Sequence, residues 1–274
     1  MSVKILISVD PENNGATTMV KTLGFFGDSF CEHRTSPDYK TYIELLSEHY
    51  NAEVVNLGMG GSSVWDLLIM QLNPLIASDN IPDVTVICWT IPARLFHRTC
   101  RSIHMSKALA GYDPKKEKWF SENYPGVDNW FSKEIWDAAQ QYFTVLRDEE
   151  KEYLEYIAAL RFIDQTVLSK IKDKTKIINL WSFATPKEYS FEGFKPVNIT
   201  YPYTFENGVE LRPPLISLSV SGKTGKTFLF PMIDDRANHL EGDKNVFLSE
   251  LIKQHIDNYV PGLKEDALTP GIQF

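Results

Sequence analysis

The apolar residues of this chain fall into short unbroken runs, each closed by a polar or glycine-rich turn, with stretches of 3.6-residue period between them. After the polar stretch Asp10–Thr18, Thr22–Gly27 (TLGFFG) reads as a buried strand ending in a turn. Tyr39–Tyr50 follows as a helix, with Tyr42, Leu45, Leu46 and His49 at helical spacing. Glu53–Leu57 is a second strand closed by the turn Gly58–Gly61. Ser62 or Ser63 then caps a helix through Val64, Leu67, Leu68 and Leu72. Pro82 precedes a third strand, Asp83–Cys88, with no polar alternation except Thr85. Such strands, separated by helices, predict a parallel sheet covered on both faces.

The segment from Phe96 to about Lys174 is too long for a simple crossover and is expected to be a helical insertion, 96–174. It holds an aromatic stretch (Trp119, Phe120, Tyr124, Trp130) and then helical sequence from Phe131 to Lys172. There Tyr153, Tyr156, Ile157, Leu160 and Ile163 keep a strong 3.6-residue period. Thr175–Trp181 is a fourth strand. Tyr189–Thr227 is rich in Pro, Gly and aromatic residues and has two short β-like runs, Val209–Leu211 and Leu215–Val220. It is expected to form a β-rich, lid-like insertion over 187–227. His239–Tyr259 reads as the last helix and Pro261 onward as a tail. The chain is therefore expected to be one α/β domain over 1–274, a three-layer α/β/α sandwich on a mainly parallel sheet.

Composition narrows this picture. With 274 residues, 43% hydrophobic, the chain can bury a core without a disulfide or metal staple. A net charge of −8, from 36 acidic against 28 basic residues, argues against a nucleic-acid or anionic-membrane surface. Cys31, Cys88 and Cys100 form no CxxC pair and leave an odd thiol, which fits a reducing compartment. Asp10, Glu12, Asn13 and Asn14 interrupt the short apolar run Val3–Val9, so no signal peptide is read there, and no stretch has eighteen consecutive apolar residues. A cytoplasmic location without membrane attachment is expected.

Three turns carry candidate chemistry. Gly27-Asp28-Ser29 presents a hydroxyl where the first strand ends, the edge at which open α/β sheets hold ligands. Asp and Ser also favour turns for purely local reasons. The segment Asn56 through Ser63 joins a strand to a helix, where glycines let backbone N–H groups approach a substrate oxygen and the helix amino end favours negative charge. It lacks the G-x-G-x-x-G spacing of a dinucleotide loop. Asp234-Asp235-Arg236-Ala237-Asn238-His239 sets a histidine after two carboxylates, an arrangement that can hold a base in one tautomer.

In order and spacing these turns resemble the GDSL/SGNH hydrolase family, from about residue 22 to residue 259. The likeness rests on Gly27-Asp28-Ser29, on Asn56 through Gly61 and on Asp234 through His239. It implies an SGNH, flavodoxin-like fold and a serine esterase. Ser29 would attack the carbonyl, His239 would take its proton, and the Ser29 and Gly61 N–H groups would form an oxyanion hole, with Asp28 beside them. The final segment also resembles that of phage-associated or capsule-related members, which raises association with a virion. A short acyl group, acetyl, on a carbohydrate is the implied substrate, with no metal or organic cofactor and no nucleic-acid or membrane partner.

Two positions depart from the family pattern. The third block, Gly-x-Asn-Asp, is replaced by Trp89-Thr90-Ile91-Pro92-Ala93-Arg94, so Thr90 or Arg94 would have to stand in for the missing Asn donor. Loss of one such donor typically costs ~10²–10³ in rate. The Asp-x-x-His spacing is not met either, because Arg236 stands three residues before His239. Asp235 is preferred as the acid, with Asp234 as the alternative. An acyltransferase using the same serine, or a non-catalytic glycan-binding or virion structural protein that keeps the fold, are the competing functions.

Other patterns have plainer explanations. Gly222–Thr227 lacks the first glycine of a phosphate loop, since position 220 is Val220, and reads as a hairpin turn. His97, Cys100 and His104 have a metal-like rhythm without a fourth ligand. Asp148–Glu152 is a charged helical face, and Asn198-Ile199-Thr200 is a sequon only in a secretory context. The aromatics Trp119, Phe120, Trp130, Tyr201, Tyr203 and Phe205 pack an insertion or, alternatively, offer flat faces to a sugar.

Overall fold

Six parallel strands form the centre of the computed structural model, which describes residues 19–32, 35–92, 94–97, 102–111, 113–115, 118, 132–183, 201–212, 214–220 and 237–267. In chain order the strands are β1 (Thr22–Gly27), β2 (Glu53–Asn56), β3 (Val84–Trp89), β4 (Arg94–Leu95), β5 (Ile103–His104), β6 (Lys176–Trp181), β7 (Val209–Leu211) and β8 (Lys264–Glu265). The sheet order is β2-β1-β3-β6-β7-β8, and β4 and β5 make a separate antiparallel ribbon. Gly27 pairs with Cys88, and Cys88 with Leu180, so the carboxyl ends of β1, β3 and β6 are level. The chain turns from β1 outward to β2 and then back across to β3. The crevice between β1 and β3 is thus the topological switch point, the usual ligand site of such sheets.

The unbroken apolar strands follow from burial on both faces. Leu23, Phe25, Val84, Val86, Cys88, Ile178 and Leu180 pack on one side with Tyr42, Leu46, Leu248 and Ile252. Phe26, Ile87, Trp89, Ile177 and Trp181 face the other side with Leu67, Leu72, Leu160 and Ile163. The helices are Tyr42–Tyr50 and Gly242–Asp257 on the first face, and 64–78 and 149–171 on the second. This is the expected three-layer α/β/α arrangement. Among the described residues no helix is long and apolar enough to cross a membrane.

Local chemistry sets where the helices begin and bend. Thr41 caps the helix Tyr42–Tyr50 through a reciprocal box with Glu44, and Ser63 caps the helix 64–78 in the same way with Asp66. The middle of that second helix, Leu67–Leu72, is wound as a π-helix, and the Asn73 N–H donates to the Leu68 carbonyl five residues back. Pro74 follows directly. Proline has no N–H to give and its ring would meet the carbonyl four residues earlier, so a widened turn lets the helix pass it.

Three expectations are corrected here. Val209–Leu211 is a strand of the central sheet, paired to Ile178–Leu180, and Leu215–Val220 is a helix, so the two runs are not parts of an inserted hairpin. Val209–Leu211 reads as β-like, but the charged Glu210 at its middle does not look like part of a buried central sheet. That carboxylate is fully buried and takes a hydrogen bond from Trp181 Nε1 at 2.8 Å and an ion pair from Arg212 at 2.7 Å. Pro214 just before Leu215 suits a helix start better than a strand. Lastly, the final helix begins at Gly242, after a separate 3₁₀ turn, Ala237–His239. Most of the lid-like stretch, including 184–200 and 221–236, lies outside the described residues.

Candidate active site

At the carboxyl end of β1 the chain turns sharply, and Gly27 makes this possible. Its φ is +127°, and a Cβ there would sit 2.1 Å from the Cys88 carbonyl oxygen. Asp28–Cys31 then forms a turn closed by the Cys31 N–H donating to the Asp28 carbonyl at 3.1 Å. Asp28 and Phe30 are fully buried, whereas Ser29 between them is half-buried. Ser29 is thus the one residue of this turn that is not buried.

Asp28, expected at the substrate edge, is instead turned inward. Its Oδ1 accepts from the Phe30 N–H at 3.1 Å and from the Ser182 hydroxyl at 2.8 Å, while Oδ2 faces Arg94 Nη1 at 3.6 Å. With no exposed surface, the carboxylate braces the turn and is closed to a substrate.

The glycine turn after β2 is stitched to the same edge. Asn56 Oδ1 accepts from the Gly58 N–H at 2.8 Å, which begins the turn. The Leu57 N–H donates to the Phe25 carbonyl at 3.0 Å and the Met59 N–H to the Gly27 carbonyl at 3.1 Å, continuing the β1–β2 ladder beyond β2. Gly61 follows at φ +84°, with only the Ser102 carbonyl near a notional Cβ, at 3.9 Å. The N–H groups of Ser29 and Gly61 donate to no described residue.

Gln71, from the π-wound turn, fastens the two turns together. Its amide accepts from the Gly27 N–H at 2.6 Å and donates to the Gly27 carbonyl at 3.0 Å and the Ser62 hydroxyl at 3.3 Å. Beneath the helix start, Asp66 takes hydrogen bonds from the Ser63 N–H at 2.6 Å, the Ser63 hydroxyl at 2.7 Å and the Ser102 hydroxyl. Ser102 leads into β5, so Asp66 pins the β4–β5 ribbon against the glycine turn.

Thr90 follows β3, and its hydroxyl is buried without a hydrogen-bond partner among the described residues. Its carbonyl accepts from the Tyr156 hydroxyl. Thr90, Ile91, Pro92, Tyr156, Trp181, Phe183 and Pro202 line a shallow, half-open cleft. Phe183 also meets the Phe30 ring edge-on at 5.4 Å, so the cleft wall reaches the residue after Ser29. Arg94 lies on β4, and its side chain is 6% exposed.

His239 comes to this edge from the far end of the chain. Its ring lies 5.2 Å from that of Phe30, and its carbonyl accepts from the Ser219 hydroxyl at 2.7 Å. Both Asn238 and His239 adopt positive φ, 55° and 60°, conformations that side-chain-bearing residues take only at some cost. Asp234 and Asp235 lie outside the described residues. Cys31 and Cys88 are buried free thiols, and burial beside Cys88 pushes the Cys31 thiol well above its ordinary value, so it stays protonated and inert.

Some supports had a signal in the sequence and some had none. Gln71 is a lone polar residue on the otherwise apolar stripe Leu67, Leu68, Leu72 and Leu75. Ser182, Ser102 and Tyr156 carry no pattern that ties them to these turns. The aromatic residues Tyr201, Tyr203 and Phe205 pack with Trp181 and Trp89, the Trp89–Phe205 pair stacking at 4.4 Å. Trp119, Phe120, Trp130 and Cys100 lie outside the described residues, and no group of three or more potential metal ligands occurs among those described.

No family model and no curated protein matches the chain. Solved structures that it resembles include the acetyl xylan esterase AlAXEase, 16% identical, with 60% of each chain covered and a TM-score of 0.28. A lipase/acylhydrolase from Enterococcus faecalis is 15% identical, over 60% of this chain and 58% of its own, at a TM-score of 0.26. The esterase EstA from Pseudoalteromonas sp. is 11% identical, over 62% and 64%, at a TM-score of 0.28. The chain thus spans about 60% of the length of these structures.

Proposed function

We propose that this chain is a serine ester hydrolase of the GDSL/SGNH type. Ser29 Oγ attacks the ester carbonyl while His239 accepts its proton and then returns it to the departing alcohol. The acyl-enzyme on Ser29 is released by water, which His239 deprotonates in turn. The N–H groups of Ser29 and Gly61 hold the oxyanion, and Asp235 orients the imidazole.

One observation carries this reading: the half-exposed Ser29 turn, the open Gly61 turn and His239 converge on one end of the sheet, at its switch point. The three segments are far apart in sequence, and each is bland when taken alone. A short acyl group rests on the sequence resemblance, and the shallow cleft beside Thr90, lined by Ile91, Pro92, Trp181 and Phe183, offers it an apolar wall. A carbohydrate as the alcohol component rests on the sequence resemblance. Tyr201 and Tyr203 give it no support, since both are engaged in packing against Trp181 and Phe205.

A fluorophosphonate probe tests the reading. Ser29 is expected to be labelled, Ser29→Ala to abolish both labelling and p-nitrophenyl acetate turnover, and the fold to persist. Folded protein that neither labels nor turns over the ester would refute the enzyme and favour a non-catalytic binding role. If the acyl group is instead found on a sugar hydroxyl by mass spectrometry, the chain is an acyltransferase with the same serine. Asp235→Asn is expected to slow turnover more than Asp234→Asn; the opposite ranking reassigns the acid.

A further inference from the structure

We propose that Arg94 is a positioning residue that holds the Ser29 turn and the Gly61 turn in register, in place of a side-chain oxyanion donor. The proposal rests on the ester hydrolase reading above. Arg94 Nη1 donates to the Ser62 carbonyl at 2.6 Å, directly after Gly61, and the same nitrogen lies 3.6 Å from Asp28 Oδ2, directly before Ser29. One guanidinium therefore touches the residue adjoining each backbone donor. Phe183 stacks on it, with the guanidinium carbon 5.4 Å from the ring centroid, and the backbone is fixed by the Arg94 N–H donating to the Pro92 carbonyl at 2.7 Å. The ribbon that carries it is itself pinned through Ser102 to Asp66 at the start of the helix 64–78.

Stability alone accounts poorly for this group. Arg94 and Asp28 are 6% and 0% exposed, and a buried ion pair recovers little more than its desolvation. Arg94 Nε also has no hydrogen-bond partner among the described residues, an additional cost. Burial disfavours the charged guanidinium, which Asp28 and Asp66 oppose. A packed apolar side chain at position 94 would satisfy the core but would leave the Ser62 carbonyl and Asp28 unbridged. The geometry instead makes sense if small displacements of the two turns matter, and misplacement by about 1 Å can cost ~10² in rate.

The test compares wild type with Arg94→Met and Arg94→Lys, using fluorophosphonate labelling of Ser29, p-nitrophenyl acetate kinetics and the Kd of ethaneboronic acid, which forms a tetrahedral adduct on serine. Arg94→Met is expected to lower kcat and labelling rate by about 10²-fold and to weaken the boronic acid similarly, while KM moves less than about threefold. Lysine keeps the charge but has a shorter reach and no planar group to lie over the Phe183 ring, so it should recover only part of the loss. Should Arg94→Met fail to fold, Arg94→Lys carries the test, with a loss of about tenfold expected. Variants that melt cooperatively and match wild type in kcat and boronic acid affinity would overturn the positioning role and leave the hydrolase reading intact. A rise in KM with unchanged kcat would also overturn it, because Arg94 would then bind substrate. Wild type that never labels overturns both.

Discussion

Gln71 is the side chain whose loss should be felt most directly at the Ser29 turn. Beyond the end of β2, its amide takes the place of the next strand residue against Gly27, at 2.6 and 3.0 Å. In Gln71→Ala the Gly27 carbonyl would keep the Met59 N–H at 3.1 Å, but the Gly27 N–H would have no partner in a fully buried site. A stranded buried donor costs about 1–3 kcal/mol. The Gln71 residue is 2% exposed, so its deletion also leaves a void, and the total should be about 2–4 kcal/mol. At about 2–4 °C per kcal/mol for a domain approaching this size, the melting midpoint should fall by about 4–16 °C. Thermal unfolding followed by circular dichroism, paired with the rate of fluorophosphonate labelling, checks both consequences. Gln71→Glu gives the sign. Its neutral carboxyl can donate to the Gly27 carbonyl, whereas the carboxylate faces it with like charge, so this variant should be less stable at pH 8 than at pH 5. If Gln71→Ala melts within about 1 °C of wild type and labels at the same rate, Gln71 does not hold the turn and the reasoning fails.

Other elements make separate predictions. Gly27→Ala should give little soluble, folded protein, because the added carbon would lie 2.1 Å from the Cys88 carbonyl at a φ of +127°; a wild-type melting curve would contradict this. Asp164 is fully buried and accepts from the Glu206 N–H at 2.8 Å, the Asn207 N–H at 3.2 Å, the Asn207 amide at 2.9 Å and the Tyr203 hydroxyl at 3.0 Å. Asp164→Ala should therefore destabilise by about 3 kcal/mol or more and open 201–207 to proteolysis, and unchanged cleavage would rule that anchor out. Burial outweighs the attraction of Glu265, at 3.2 Å, and holds the His255 imidazole below its ordinary value. The unfolded chain then takes up the proton first, so stability present above about pH 6.5 should be lost as pH falls through the folded value. His255→Gln should flatten that part of the profile in urea titrations, and an unaltered profile would exclude His255 as its source.

The layers were legible because burial on both faces writes a strand as a mostly apolar run, as in residues 23–27 and 86–89. Where burial is achieved by pairing rather than by apolar character, the signal is weaker: Val209–Leu211 reads as β-like, but its place in the central sheet does not show. Glu210, at the middle of that run, is buried by Trp181 from the neighbouring strand and by Arg212 two residues on, and only the second partner is close in sequence. The same division holds at the site. Its turns were readable because Gly27, Gly61 and the serines are local requirements of the backbone. The braces were not, since Ser182 reaches Asp28 across an intervening strand and Ser102 reaches Asp66 from a distant ribbon. Asp28 itself was misjudged for that reason: a carboxylate beside a candidate nucleophile looks like chemistry until its partners are seen to enclose it.

The distribution of unmet polar groups bears on whether this edge of the sheet serves a purpose at all. Asp28 Oδ2, Asn56 Nδ2, Thr90 Oγ1, Arg94 Nε and both amide atoms of Asn238 are buried without hydrogen-bond partners among the described residues, and only His255 Nε2 shares that state elsewhere. Each such group costs about 1–3 kcal/mol relative to an apolar replacement, and native proteins keep few of them. Asn238 and His239 add backbone strain at the same place. A fold retained only as a scaffold gains nothing from concentrating these costs around one strand edge, when valine or leucine would fill the same space. Among the described residues these groups gather at the switch point of the sheet, beside the Ser29 turn and His239, where an apolar core would place none of them.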